Sequence, residues 1–244
     1  MKKVVFLVDG QKIKGTLIFP KAVKDKNPGV LFIHGWTSSE EGYLPRAQAV
    51  AKHGAICLTI NLRGHGKSDG SLEELSRKDH LNDVITAYDF LACQKNVDRN
   101  RIGVCGSSYG GYLASILSLK RKVKWLVLRV PALYRDSDFN IPTAKLIRED
   151  INIYRQSEIR PKENMALKAV SKFRGDLLLV ESEKDEIVPK QTIKNYLQAV
   201  NPKITFDHKI MQNADHALTN KKWKLEFIEI LSGWFAERLK TNLP

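Results

Sequence analysis

Apolar residues along this chain alternate between short unbroken runs and longer stretches in which they recur every three or four positions. The runs at 4–8 and 13–19 flank Asp9-Gly10, a pair suited to the tight turn of an antiparallel hairpin. Residues 29–33 and 55–61 read as buried strands, with a helix from about 43 to 53 between them. From 80 to 93 the apolar positions are Leu81, Val84, Ile85, Tyr88 and Leu91, the spacing of an amphipathic helix. A strand at 101–105 runs into a helix over 111–117, and a further strand covers 123–130. The alternation resumes with a strand at 176–180, a helix at 190–200, a strand at 204–210 and a terminal helix at 221–240. Such an order predicts an α/β architecture, a mostly parallel sheet covered by helices.

One stretch breaks the rhythm. Residues 131–170 are punctuated by Pro131, Pro142 and Pro161 and predict only short helical pieces. Leu133, Tyr134, Phe139, Ile141, Leu146, Ile147, Ile151, Ile153 and Tyr154 give the stretch apolar surface that calls for burial. It follows the strand at 123–130, so it reads as a small cap over the carboxyl edge of the sheet. Loops of this length inside a compact domain usually have a function or structure of their own. The 244 residues otherwise fit one domain spanning 1–244.

No run of about 18 apolar residues is present, so no membrane-spanning helix is expected. The basic start Met1-Lys2-Lys3 precedes an apolar run that stops at Asp9-Gly10, which fits a strand better than a signal peptide. Cys57, Cys93 and Cys105 have neither metal-ligand nor Cys-x-x-Cys spacing; buried thiols in a reducing cytoplasm are the expectation. Forty Lys and Arg against 27 Asp and Glu leave a net charge of +13. Such an excess raises nucleic acid as a partner. The lysines are nevertheless dispersed, and no homeodomain, zinc-finger or RNA-recognition signature accompanies them. A solvated basic surface with no specific nucleic-acid partner is the expectation.

The chemistry concentrates at Gly106-Ser107-Ser108-Tyr109-Gly110, between the strand at 101–105 and the helix that follows. Strand, sharp turn and helix are the context in which Gly-x-Ser-x-Gly presents its central serine as a nucleophile. Ser108 then needs a base within hydrogen-bond reach and an acid to hold that base. Asp185 lies just past the strand at 176–180, at the edge where open α/β sheets place functional residues. Glu181, Glu183 and Glu186 compete with it, and the Asp-x-x-Val-Pro spacing favours Asp185. Among six histidines, His53, His80 and His208 fall on helices or strands and read as structural or surface residues. His34 and His65 each adjoin glycine. His216 alone follows the acid in the order Ser, Asp, His, in a loop before the last helix. Two backbone N–H groups must face the developing oxyanion. The amide of Tyr109 and that of Trp36, in the loop after 29–33, are the candidates, and the Trp36 indole is a candidate wall for an acyl pocket.

These segments resemble the α/β-hydrolase superfamily. The resemblance rests on His34-Gly35-Trp36, the run Asn61 to Ser68, the run Asp98 to Val104, Gly106 to Gly111, Asp185 to Pro189, and Asp215-His216. It extends from about residue 29 to the C-terminus. It is most similar to small bacterial carboxylesterases of the cinnamoyl/feruloyl type and to the catalytic domain of prolyl-oligopeptidase-like peptidases. The resemblance implies an eight-stranded sheet and a triad Ser108–Asp185–His216 working without metal or organic cofactor. It further implies that Arg63-Gly64-His65-Gly66 is a tight loop below the site, with His65 and His34 outside the proton transfers. The substrate expected is a small-molecule ester. A peptidase or amidase would use the same triad and add acidic groups for an amino terminus, with Glu149, Asp150 and Glu158 as candidates. A non-catalytic binding protein of this fold would be expected to have lost the nucleophile or the histidine.

Overall fold

The computed structural model describes residues 1–240. Eight strands form one sheet in the order β1-β2-β4-β3-β5-β6-β7-β8. The strands are β1 Lys2–Val8, β2 Gln11–Ile18, β3 Asn27–Ile33, β4 Ile56–Ile60, β5 Val97–Ser107, β6 Trp125–Arg129, β7 Asp176–Ser182 and β8 Phe206–Met211. The first hairpin is antiparallel and β2 joins β4 antiparallel; every other pairing is parallel.

The unbroken apolar runs follow from burial on both faces of the sheet. Leu31 and Ile33 of β3 belong to one core, and Val30 and Phe32 to the other. In β7, Leu177 and Leu179 alternate in the same way with Leu178 and Val180. Helices α2 Arg77–Ala92, α3 Tyr109–Lys120, α5 Met165–Lys172 and α6 Lys190–Ala199 supply buried side chains to the first core. Helices α1 Leu44–Ala51 and α7 Lys221–Lys240 cover the second.

Several boundaries differ from the sequence reading. The α1 helix ends at Ala51, so His53 lies in the turn beyond it, and a 3₁₀ turn at Glu40–Tyr43 precedes it. The β6 strand stops at Arg129 because Val130 takes a φ of 38°, outside any strand geometry. Cys57 and Cys105 are buried, whereas Cys93, one residue past α2, is exposed. Being at a helix end says nothing about which side a residue faces.

The stretch expected as a cap contains 3₁₀ turns at Asp136–Asp138, Thr143–Lys145 and Pro161–Glu163 and a helix α4, Arg148–Gln156. Its last residues enter α5, whose Ala166, Leu167, Ala169 and Val170 are buried beside α3. Hydrogen bonds tie the stretch to the body: Thr143 N to Leu75 O, Arg155 Nε to Leu133 O and Thr192 Oγ1 to Arg155 O, at 3.1, 3.1 and 2.9 Å. Ile141, Ile147 and Ile153 face solvent, contrary to the burial expected of them.

Candidate active site

Ser108 sits between β5 and α3 with φ 53° and ψ −117°. Such a conformation costs a non-glycine residue roughly 1–3 kcal/mol and persists only where its surroundings enforce it. The enforcing contacts are backbone hydrogen bonds. Ser108 N donates to Arg129 O at 2.9 Å, and Ser108 O accepts from Tyr112 N at 3.1 Å and Ala132 N at 3.0 Å. The kink at Val130 brings the Ala132 amide back onto the elbow. The glycines permit the close approach: a Cβ on Gly106 would lie 2.2 Å from Gly110 O.

His216 Nε2 is 3.1 Å from Ser108 Oγ, and its Nδ1 is 2.7 Å from Asp185 Oδ2. The other Asp185 oxygen accepts from Ile187 N at 2.9 Å and Val188 N at 2.7 Å. That turn is the physical content of the Asp-x-x-Val spacing: it locks the carboxylate with one oxygen left for the imidazole. The three competing acids have other partners. Glu181 faces His208 at 3.3 Å, Glu183 accepts from Asn213 N at 2.7 Å, and Glu186 accepts from His216 N at 3.3 Å. Glu183 and Glu186 thus join the loop that carries Asp185 to the loop that carries His216.

Trp36 and Thr37 form the apex of a turn closed by Ser38 N donating to Gly35 O at 3.2 Å, with Thr37 at φ 58°. Trp36 borders Ser108 across a cavity of ≈ 500 Å³, and Tyr109 begins α3 directly after the nucleophile candidate. The cavity's further walls come from Tyr134, Thr143, Ala144, Leu146, Arg148, Ile151, Asn152 and Arg155, with Glu186, Ile187 and His216 opposite.

Beneath the Trp36 turn lies a packed group of His34, His65, His80 and the rings of Trp36 and Tyr109. Leu62 N donates to His34 Nε2 at 3.0 Å, so the ring proton is on Nδ1, which donates to Gly35 O at 2.8 Å. His80 has the reverse arrangement: Nε2 donates to Arg63 O at 3.1 Å, and Nδ1 accepts from Tyr109 OH at 2.7 Å. Burial, reinforced by His65, pushes the pKa of both His34 and His80 down to about 3. Burial also lowers that of His65. These histidines are neutral props for the turn. Arg63 anchors the same region through a buried ion pair with Asp83 at 2.6 Å.

One site residue was not singled out in the sequence. Arg129, at the end of β6, donates through Nη2 to Ser182 Oγ, Asp215 O and His216 O at 3.0, 3.3 and 2.7 Å. It therefore pins the histidine loop to the sheet. An arginine closing the otherwise apolar run Trp125-Leu126-Val127-Leu128 was the available signal.

A parallel sheet of this order, with a serine on a strained strand-to-helix turn and histidine and aspartate loops converging on it, defines the α/β-hydrolase class. The chain belongs to the prolyl oligopeptidase family, whose sequence model matches residues 43–242. The chain is 27% identical over 227 residues to the mitochondrial palmitoyl-protein thioesterase ABHD10 of Bos taurus, covering 82% of this chain and 71% of that one. It is 29% identical over 154 residues to thiohydrolase aneE of Aspergillus aculeatus, covering 60% of this chain. The chain spans about half the length of that relative, with 48% of it matched. Among solved structures, Est1E of Butyrivibrio proteoclasticus with ferulic acid bound superposes with a TM-score of 0.76 at 19% identity, covering 97% of this chain and 99% of that one. No helix among the described residues is long and apolar enough to cross a membrane.

Proposed function

We propose that the protein is a serine carboxylesterase that cleaves small or medium acyl esters through Ser108, His216 and Asp185. The observation that carries this reading is the hydrogen-bonded line Asp185–His216–Ser108, with links of 2.7 and 3.1 Å, opening into a cavity beside Trp36. Ser108 Oγ attacks the ester carbonyl as His216 Nε2 takes its proton, and Asp185 holds the ring and stabilises the imidazolium that forms. The amides of Tyr109 and Trp36 receive the oxyanion. Collapse expels the alcohol, protonated by His216, and leaves an acyl-enzyme. Water, deprotonated by the same imidazole, then releases the acid and restores Ser108.

Residues 131–170 supply the cap in this reading, and Leu146 and Ile151 give its inner wall an apolar part suited to an acyl group. A peptidase reading would require acids positioned for an amino terminus. The cap residues Arg148, Asn152 and Arg155 line the cavity instead, whereas Glu149, Asp150 and Glu158 are not among its lining residues. The carboxylate that does line the cavity, Glu186, accepts from His216 N at 3.3 Å, so none of the candidate acids of the cap faces an amino terminus there, which favours an ester. The names of the thioesterase relatives make a thioester the natural variant of the same acyl transfer.

Fluorophosphonate labelling is the direct test, followed by a panel of p-nitrophenyl esters run beside an acyl thioester and an aminoacyl p-nitroanilide. Labelling is expected at Ser108 and absent in Ser108→Ala, with ester turnover reduced by roughly 10⁶-fold in that variant. Unchanged turnover in Ser108→Ala would overturn the reading.

A further inference from the structure

A second cavity, of ≈ 570 Å³, also opens at Ser108 and His216. Its walls come from the Trp36 turn, the start of α1, the end of β6 and α7; none of its lining residues belongs to the cap. A scissile group placed at Ser108 therefore lies where two differently built cavities meet.

The second cavity is cationic. Arg46, Arg129 and Lys224 line it, and no carboxylate does so among the described residues. The cavity under the cap is mixed, with Glu186 set among Arg148 and Arg155. Arg129 is only 4% exposed, and the three acceptors of its Nη2 are all neutral oxygens. Its Nε and the hydroxyl of the neighbouring lining residue Ser107 are both buried without a hydrogen-bond partner. Leaving such donors unmet is costly, most of all on a charged group. Burial, and Arg46 close by, lower the Arg129 pKa to about 10, the direction expected where like charges face each other. Arg46 is itself held by stacking over the rings of Tyr43 and Phe227, at 4.4 and 5.1 Å from their centres. Two guanidinium groups, each held in place, line one cavity, and a guanidinium is the side chain suited to bind a carboxylate or phosphate through paired hydrogen bonds.

We propose that this cavity is a subsite for an anionic group, a carboxylate or a phosphate, carried on the leaving-group side of the substrate. The proposal rests on the serine-hydrolase reading above and names its substrate class: an ester or thioester of an anionic alcohol or thiol. With the acyl group under the cap, the second cavity takes the other side of the scissile bond, the side to which His216 returns its proton. Pinning His216 through its carbonyl uses only Nη2 of Arg129. Neither that role nor general solubility accounts for Arg46 beside Arg129 in a cavity lined by no acid.

The test compares acetates that differ in leaving-group charge: 4-acetoxybenzoate, its methyl ester, and 4-acetoxyphenyl phosphate. Each kcat/KM is divided by the uncatalysed hydrolysis rate. An acyl-side control sets mono-4-nitrophenyl glutarate against 4-nitrophenyl butyrate. One or both anionic acetates are expected to exceed the methyl ester by tenfold or more, and the one preferred distinguishes carboxylate from phosphate. That ratio should fall at least tenfold in Arg46→Met/Lys224→Met and by a smaller factor in Arg46→Lys, which keeps the charge but not the stacked guanidinium. Equal rates for charged and neutral acetates, a ratio indifferent to the double substitution, or a preference confined to the acyl-side pair would overturn the proposal. Calorimetric titration with 4-hydroxybenzoate and with inorganic phosphate gives a readout independent of turnover. Binding of at least one, lost in the double variant, is expected. If neither binds the unsubstituted protein the subsite is wrong, even where neutral esters are hydrolysed. Absence of labelling and of all hydrolysis would instead count against the esterase reading.

Discussion

Gly110 in α3 and Ile33 at the end of β3 approach so closely that a Cβ on Gly110 would lie 2.3 Å from the Ile33 carbonyl oxygen. The strand that leads into the Trp36 turn thus rests on the first turn of the helix that follows Ser108. Backbone oxygens cannot rotate away as a side-chain tip can. The two groups proposed to bind the oxyanion, on Trp36 and Tyr109, are held in register by this contact.

Gly110→Ala should therefore separate the elbow from the turn. Overpacking of this kind costs about 1–3 kcal/mol, and more where only backbone can yield. The urea midpoint should fall, and fluorophosphonate labelling of the folded fraction should slow by about 10²-fold, the scale of an ångström-sized misplacement. Gly233→Ala is the control, because a Cβ there meets nothing within 4 Å and the position is inside α7. It should be neutral or stabilising by up to about 1 kcal/mol. Equal behaviour of the two variants would remove the argument.

The base and the acid should separate in size. His216→Ala is expected to be nearly as damaging as Ser108→Ala, since both proton transfers run through Nε2. Asp185→Asn should retain more activity, with a loss of about 10⁴-fold, because the acid acts by orienting the ring and stabilising its charge. Glu183→Gln should cost less than Asp185→Asn, as the Glu183 carboxylate meets a backbone amide, Asn213 N, rather than the imidazole. Steady-state kcat/KM on one ester ranks all four. A crippled Glu183→Gln beside an active Asp185→Asn would reassign the acid.

Much of this arrangement was legible from local pattern. Strands buried on both faces announce themselves as unbroken apolar runs, and residues 29–33 and 176–180 fall inside β3 and β7. Ser108, Asp185 and His216 could be singled out because each sits in a loop whose local spacing constrains its conformation, and the structure brings the three together. What escaped depends on long-range register. Arg129 reaches Asp215 and His216 across 86 and 87 positions of chain, through the alignment of β6 with β7 and of β7 with β8. His80 was read as structural, but its hydrogen bond to Tyr109 OH depends on how α2 packs against α3. In the stretch after β6 composition misled only in part, since Leu133 and Tyr134 are buried and Phe139, Leu146, Ile151 and Tyr154 pack against the core as expected. Ile147 and Ile153 looked as though they required burial, yet they are 66% and 52% exposed, because α4 covers the body with only one of its sides.

Stability should decline on mild acidification for a reason seated beneath the Trp36 turn. His34 and His80 have pKa values lowered to about 3 by burial, against about 6.5 in an unfolded chain. Below pH 6.5 the unfolded chain takes up protons that the native fold refuses, so this contribution is complete above that value and is lost progressively down to pH 3. Each histidine adds a slope of about 1.4 kcal/mol per pH unit within the window. Chemical denaturation between pH 7.5 and 4.5 should show the decline, and His80→Gln should make it shallower than in the unsubstituted protein. An unchanged slope would mean that His80 takes up a proton in the folded state.

The cap prediction turns on which apolar residues face the site. Leu146 and Ile151 line the cavity that contains Ser108, whereas Ile147 and Ile153 lie on the same stretch and point to solvent. If the cap forms the acyl wall, removing side-chain volume at the first pair enlarges the pocket and exposes its apolar surface. Short acyl groups lose contact that longer ones regain by filling the space. A buried methylene is worth about 0.8 kcal/mol, so truncating Leu146 or Ile151 to Ala should shift the kcat/KM ratio of octanoate to butyrate esters by roughly 10–100-fold. Ile147→Ala and Ile153→Ala should leave that ratio within about twofold, since surface substitutions of this kind stay within about 0.5 kcal/mol. Labelling of Ser108 in all four variants separates altered preference from a damaged site. A ratio that moves equally in both pairs, or in neither, would show that the cap does not set acyl preference.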